Sequence, residues 1–218
     1  MNHPKKSPEF YHFPVMLDEV IQICSPIDDK GLYVDCTFGG GGYSESFLKN
    51  SNTKVIALDR DKFIFSIAKH LEKKYANRFS FFHKKFSEIE SVVSKQSVDA
   101  VIFDLGLSSI QLNNLERGFS FKSKKNLDMS MGLATTSAEE VINECSEQKL
   151  KSIIKILGEE NDASRIAKNI IKTRIKKRIT KVYELVDIIE KSKKKNYTSK
   201  INPSTKTFQA LRIFVNKE

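Results

Sequence analysis

Between residues 32 and 104, short apolar runs alternate with segments whose apolar residues recur at helical spacing. That alternation constrains the fold more than any other feature of the chain. "LYVDCTF" (32–38), "KVIALD" (54–59), "RFSFFH" (78–83) and "VDAVIFDLG" (98–106) read as strands. Between them "YSESFLKN", "DKFIFSIAKHLEKKYA" (61–76) and "FSEIESVVSK" (86–95) read as helices. Strands joined by helical crossovers pair in parallel, and the crossovers are right-handed. The expectation is an α/β domain built on a parallel sheet. Its fourth strand reads as buried on both faces.

After Gly106 the texture changes. Residues 107–132 are rich in Ser, Asn and Gly and read as loop, and from 137 to 195 every segment reads as helix. Ser137 with Glu140 forms a capping box, and Ser146 caps a helix that Gly158 ends. Asn161 and Thr180 are expected to cap the next two helices. No internal repeat is present.

Charge follows the same division. Residues 1–150 hold 19 Lys+Arg against 20 Asp+Glu, whereas residues 151–218 hold 18 against 7, so the net charge of +10 sits in the helical part. Such a basic second half points to a polyanion, most simply nucleic acid, or else to a solvated lysine-rich surface. At 218 residues and 39% hydrophobic, the chain has enough apolar material for a packed core. No apolar run is long enough to span a bilayer, and "MNHPKKSPEF" has no secretory h-region. Cys24, Cys36 and Cys145 are odd in number and lack metal-ligand spacing. A cytoplasmic protein with reduced thiols, no metal and no membrane association is expected.

The stretch "VDCTFGGGGYS" (34–44) carries the first chemical signal. Glycines after a strand let a ligand approach the backbone. A nucleotide triphosphate loop would need Gly-Lys-Ser/Thr, but Gly42 is followed by Tyr43 and Ser44. A dinucleotide motif is matched at Gly39 and Gly41 but broken at Ser44. Asp35, Asp59 and Asp104 fall within or at the ends of three of the strands. Three carboxylates would repel a pyrophosphate. They suit S-adenosylmethionine, which carries an ammonium, a sulfonium and a ribose diol and no phosphate. The bland alternative is that each acid caps a turn.

With these motifs in place, the sequence resembles the bacterial 16S ribosomal RNA (cytosine-N4)-methyltransferases. The likeness runs through "HFPVMLDEV" (12–20), "YVDCTFGGGGYS", "ALDRD" (57–61), "FDLGLSSIQL" (103–112), "RGFSF" (117–121) and "LDMSM" (127–131). It continues through "LGEENDASRIAKNI" and "NPSTKTFQALRI". The resemblance implies a class I, Rossmann-like S-adenosylmethionine-dependent methyltransferase with an inserted helical domain. Residues 1–106 would bind the cofactor, 107–203 would form the basic, RNA-facing insert, and 204–218 would begin the return to the catalytic fold. Methyl would pass to N4 of a cytidine at the decoding site of 16S ribosomal RNA, with the small ribosomal subunit as partner. Cofactor contacts carried over by position are Gly41, Gly42, Tyr43, Asp59, Phe86, Asp104 and Gln111.

The chain departs from the family pattern at several positions: Tyr43 stands where His is usual, Cys36 for Gly, Ile110 for Pro and Asn202 for His. Asn161-Asp162 stands where an aromatic normally follows the acids. The family also continues beyond "QALRIFVNKE" with further strands. Without them the fourth strand is expected to be an exposed apolar edge, and the chain to need an extension for full activity.

Asp104 and the turn after it are candidates for holding the cytosine amine, or Asp104 only binds cofactor. His12 and His83 read as structural. Phe119 and Phe121 either stack on a nucleobase or belong to the core of the insert. Lys176, Lys177 and Arg178, with the cations at 172–181 and 191–195, either meet phosphates or form a solvated face. Two other functions stay open: an RNA-binding relic without catalysis, and a nicotinamide-dependent oxidoreductase.

Overall fold

The computed structural model describes residues 14–24, 30–193 and 201–218, in two compact units divided between Ile110 and Gln111. In the first unit, helix α1 (Leu17–Ile23) precedes β1 (Gly31–Asp35), α2 (Gly42–Leu48), β2 (Thr53–Asp59), α3 (Phe65–Lys74), β3 (Phe79–His83) and β4 (Ala100–Ile102). The strand order is β3-β2-β1-β4, with every pairing parallel. The chain therefore winds one way from β1 and then returns to β1's other side. The crevice between the carboxyl ends of β1 and β4 is the switch point at which such sheets bind ligands.

Alternation along the strands divides the core. Tyr33, Val55, Ala57 and Phe79 pack with Phe47 and Leu48 of α2 and with Ala68 and Leu71 of α3. Val34, Cys36 and Leu58 face the other way and are covered by Ile89, Val92 and Val93. The covering segment, expected to be a helix over 86–95, is instead a pair of 3-10 turns over Phe86–Ser91 with a non-helical break at Glu88. The Glu88 carboxylate turns back to accept the Lys85 N–H.

This cover is short, and β4 shows the result. Val101 is the register partner of Val34 and lies on the same face, yet it is 38% exposed. Phe103 and Leu105, two and four residues on, are 49% and 70% exposed. The fourth strand is three residues long and buried on one face, rather than the longer strand buried on both that its apolar run suggested. Among the described residues β1 is its sole strand partner.

The second unit is helical. Residues 107–132, read as loop, contain α4 (Ser109–Asn113), which crosses the boundary between the units, and a 3-10 turn at Leu115–Arg117. Then come α5 (Ala138–Glu144), α6 (Glu147–Leu157), α7 (Ala163–Arg174), α8 (Val182–Ser192) and α9 (Thr205–Asn216). Ser137 and Ser146 cap α5 and α6 as expected, and Glu140 closes the capping box.

The other two caps differ. The N-cap of α7 is Asp162, because Asn161 spends its side-chain oxygen on Lys155. The N-cap of α8 is Lys181, and the Glu184 carboxylate accepts the N–H groups of both Thr180 and Lys181.

Helix α6 packs between α7 and α9. Residues 204–218, read as a return toward the first domain, form a helix whose end is anchored inside this second unit. Buried Asn216 accepts the Met131 N–H and donates to the Met129 and Arg212 carbonyls. The "LDMSM" motif is core here, with Leu127 and Met129 fully buried.

Gly158 lets α9 approach the end of α6. A Cβ built there would lie 2.3 Å from the Lys206 carbonyl oxygen and 3.0 Å from the Ala210 Cβ. Backbone must move to admit it. Gly158→Ala is expected to destabilise the chain by about 1–3 kcal/mol, the usual cost of overpacking, measured by denaturant unfolding. An unchanged midpoint would show that α9 can shift without penalty.

Candidate cofactor site

Three aspartates stand around the switch point, and the structure gives them different work. Asp35 closes β1 and is 1% exposed. Its Oδ1 accepts the Thr37 N–H at 3.2 Å and its Oδ2 accepts the Ser44 hydroxyl at 2.7 Å. Burial raises its pKa from 3.8 to about 6, against those two hydrogen bonds. Asp59 closes β2. Its Oδ2 accepts the Gly39 N–H and its Oδ1 the Asp61 N–H, both at 2.8 Å. Burial is the largest influence on Asp59 too and raises its pKa, while the backbone donors oppose it.

Asp104 differs. Its backbone N–H donates to Thr37 Oγ1 at 2.7 Å, but its half-buried carboxylate has no partner among the described residues.

The glycine loop runs between these acids. Cys36 N–H donates to the Ile102 carbonyl and Phe38 N–H to the Leu58 carbonyl, so the loop is tied to both neighbouring strands. Gly39 and Gly41 hold φ of +50° and +78°, which side chains other than glycine adopt at a cost. A Cβ on Gly41 would also lie 2.9 Å from the Phe38 ring. Gly42 opens α2, and Tyr43 follows with its ring in the core and its hydroxyl donating to the Val15 carbonyl. The tyrosine side chain thus ties the loop to the segment ahead of α1. Burial, with Asp104 and Asp35 nearby, raises the pKa of that phenol. Phe86 is 40% exposed and meets Phe103 edge to face at 5.7 Å between centroids.

Of the residues expected at the cofactor, Gly41, Gly42, Tyr43, Asp59, Phe86 and Asp104 belong to the first unit, on the loops and ends that follow its strands. Gln111, on α4, is a buried residue of the second unit. Sequence reasoning passed over Thr37 and Ser44. Their signal lay within the quoted stretch, as hydroxyls two and nine positions after a buried acid.

His83 is held by the Arg60 carbonyl and by the Phe65 ring, a structural placement. His12 lies outside the described residues.

The candidates for RNA fall in the second unit. Phe119 is 5% exposed beneath the Arg117 guanidinium, and Phe121 packs edge-on against Phe208, so burial favours their reading as core. Lys177 pairs with Glu184, and Arg178 with Glu139 and Glu144, whereas Lys176 is exposed and without a carboxylate partner among the described residues.

An unengaged carboxylate beside a tight glycine loop suits a cationic nucleoside ligand, as the three acids suggested. The fold and this site define a Rossmann-like methyltransferase. The MraW methylase family model matches residues 9–218. The chain is 46% identical over 211 residues to ribosomal RNA small subunit methyltransferase H of Orientia tsutsugamushi (strain Boryong), covering 95% of this chain and 67% of the relative. The proteins of the same name from Rickettsia canadensis (strain McKiel) and Ehrlichia canis (strain Jake) are each 42% identical, with 67% and 71% of their lengths covered. The chain therefore belongs to the MraW methylase family, and it spans about two thirds of the length of these relatives. S-adenosylmethionine is the methyl donor of this family.

The raised pKa of Asp35 has a thermodynamic consequence. The native state holds this proton more tightly than the unfolded chain, so unfolding releases it between about pH 4 and 6. Stability contributed at this site is present at low pH and falls as pH rises through that window, by roughly 3 kcal/mol in all. Asp35→Asn keeps an acceptor for Thr37 and removes the titration. The unfolding midpoint of the natural chain should fall relative to that of Asp35→Asn between pH 4 and 6 and run parallel above it. Parallel curves throughout would mean that Asp35 is ionised at ordinary carboxylate pH.

Proposed function

We propose that this chain transfers the methyl group of S-adenosylmethionine to the exocyclic N4 of a cytidine in 16S ribosomal RNA of the small ribosomal subunit. The observation that carries this reading is the Asp104 carboxylate at the switch point, without a partner among the described residues, beside two aspartates already committed to the loop. When bound, the donor supplies an electrophilic methyl on a sulfonium, which leaves as a neutral thioether. The amine lone pair of cytosine is delocalised into the ring, so the protein's task is alignment and acceptance of an N–H. In this reading Asp104 takes that task. Gly41, Gly42 and the Tyr43 backbone then cradle the donor, Asp59 meets its ribose, and Phe86 lies against its base.

Within the second unit, the exposed face of α7 supports RNA binding. Lys168 and Lys172 on α7 and Lys176 in the turn that follows it recur every fourth residue, are exposed, and carry no carboxylate partner among the described residues. They make a better phosphate stripe than Lys177 and Arg178, whose charges are partly neutralised. Beside them runs a groove of about 690 Å³ between α7 and α8, lined by Asn169, Lys172, Thr173, Lys177, Tyr183 and Lys191. Tyr183 is 54% exposed there. Arginines and lysines on such a face position RNA through its backbone without reading sequence. Among the described residues no helix is long and apolar enough to cross a membrane. Reduced Cys24, Cys36 and Cys145 accord with work in the cytoplasm on a ribosomal substrate.

Tritiated S-adenosylmethionine and small ribosomal subunits from cells lacking the enzyme test the reading. Label should appear on a cytosine amine, and counts no higher than the protein-free control would overturn it. Asp104→Asn should slow transfer at saturating donor by about 100- to 1,000-fold, since it removes the proton acceptor but keeps the shape. A rate within twofold of the natural chain would take Asp104 out of the reaction. Replacing Lys168, Lys172 and Lys176 by alanine should flatten the log–log salt dependence of RNA binding by about one unit per lost phosphate contact. An unchanged slope would assign the stripe to solvent.

A further inference from the structure

We propose that Thr37 is a positioning residue for methyl transfer, its hydroxyl clamping the Asp104 backbone across the crevice between β1 and β4. The inference rests on the reading of Asp104 given above. The two lips of the crevice are tied at successive points. Cys36 N–H donates to the Ile102 carbonyl at 2.9 Å, and Asp104 N–H donates to Thr37 Oγ1 at 2.7 Å. A Cβ on Gly39 would lie 3.7 Å from the Ser108 Cβ.

Of these ties, the one at Thr37 falls on Asp104 itself, and it is the one made by a side chain. The backbone N–H of Thr37 is in turn held by buried Asp35. The orienting chain therefore runs from a buried carboxylate through Thr37 to the backbone of the acid at the reaction centre.

A clamp on the backbone N–H leaves the Asp104 carboxylate free for substrate while fixing where it points. Loss of the hydroxyl frees that backbone and lets the carboxylate swing. Such misplacement slows a reaction that depends on alignment without removing any contacting group. Thr37 also keeps its own hydroxyl hydrogen, which has no acceptor among the described residues.

Thr37→Val removes the hydroxyl at nearly constant shape, and Thr37→Ser restores it. Both are to be measured in the natural chain and in Asp104→Ala, as single-turnover transfer to small ribosomal subunits at saturating donor. Thermal unfolding is followed alongside. The expected result is that Thr37→Val slows transfer about 10- to 100-fold while Thr37→Ser stays within about threefold. In the Asp104→Ala background the valine should cost under about twofold, because residues acting through one another are not additive.

Equal losses in both backgrounds, or a serine as slow as the valine, would overturn the clamp. A lowered unfolding midpoint that accounts for the lost rate in valine and serine alike would overturn it too. An Asp104→Ala variant as fast as the natural chain would instead bring down the reading of Asp104, and the clamp with it.

Discussion

A carboxylate buried at the end of β1 organises the first unit. Burying such a group is costly unless donors meet it. The donors that meet Asp35 are the Thr37 N–H and the Ser44 hydroxyl, one at the start of the glycine loop and one in the first turn of α2. The loop is therefore folded back around the acid. Positive φ at Gly39 and Gly41 is what that tight path demands. Once the path is set, Gly39 presents its N–H to Asp59, and Thr37 presents its hydroxyl to Asp104. A single buried charge thus fixes the geometry of three strand ends.

The three acids look alike in sequence and divide the labour in space. Asp35 and Asp59 spend their oxygens on backbone N–H groups and the Ser44 hydroxyl and hold the shape of the pocket. The third is held by its backbone, and its carboxylate meets no partner among the described residues. Electrostatics alone would not distinguish them, since all are aspartates at or near the carboxyl ends of neighbouring strands. The distinction comes from hydrogen-bond accounting: a carboxylate that a fold leaves partnerless at its switch point is available to a ligand. The basic half of the chain follows the same logic in reverse. Glu184, Glu139 and Glu144 absorb two of the most conspicuous cations, and Lys168, Lys172 and Lys176 are left without a carboxylate partner among the described residues.

Much of this was legible in the sequence. Strand periods, the glycine loop, the capping boxes at Ser137 and the Ser146 cap are local signals, and local signals fixed the order of elements and the class of ligand. What escaped were matters of partnership. Asn161 looks like a helix cap, but Lys155 claims its side chain. "VDAVIFD" looks doubly buried, but burial of the second face depends on a covering segment that breaks at Glu88 and stops short of Val101. Phe119 reads equally as a base-stacking ring or as core, and what tips the balance toward core is its burial beneath an arginine, which sequence does not show. Thr37 was passed over because its value lies in accepting an N–H from a residue 67 positions downstream in sequence.

The close seat of Gly158 against Lys206 has a meaning for biogenesis. Among the described residues the strand pairings of the first unit lie within residues 31–102, so these strands can pair while the helical part is still being made. The second unit has no such freedom. The end of α6 must stay open until residues 205–216 have left the ribosome, because α9 supplies the other wall of its packing and Asn216 satisfies the backbone of Met129 and Met131. During that interval the apolar side of α6 is exposed to the cell. The order of synthesis thus makes the α9-facing side of α6 a late-covered apolar surface of the helical half.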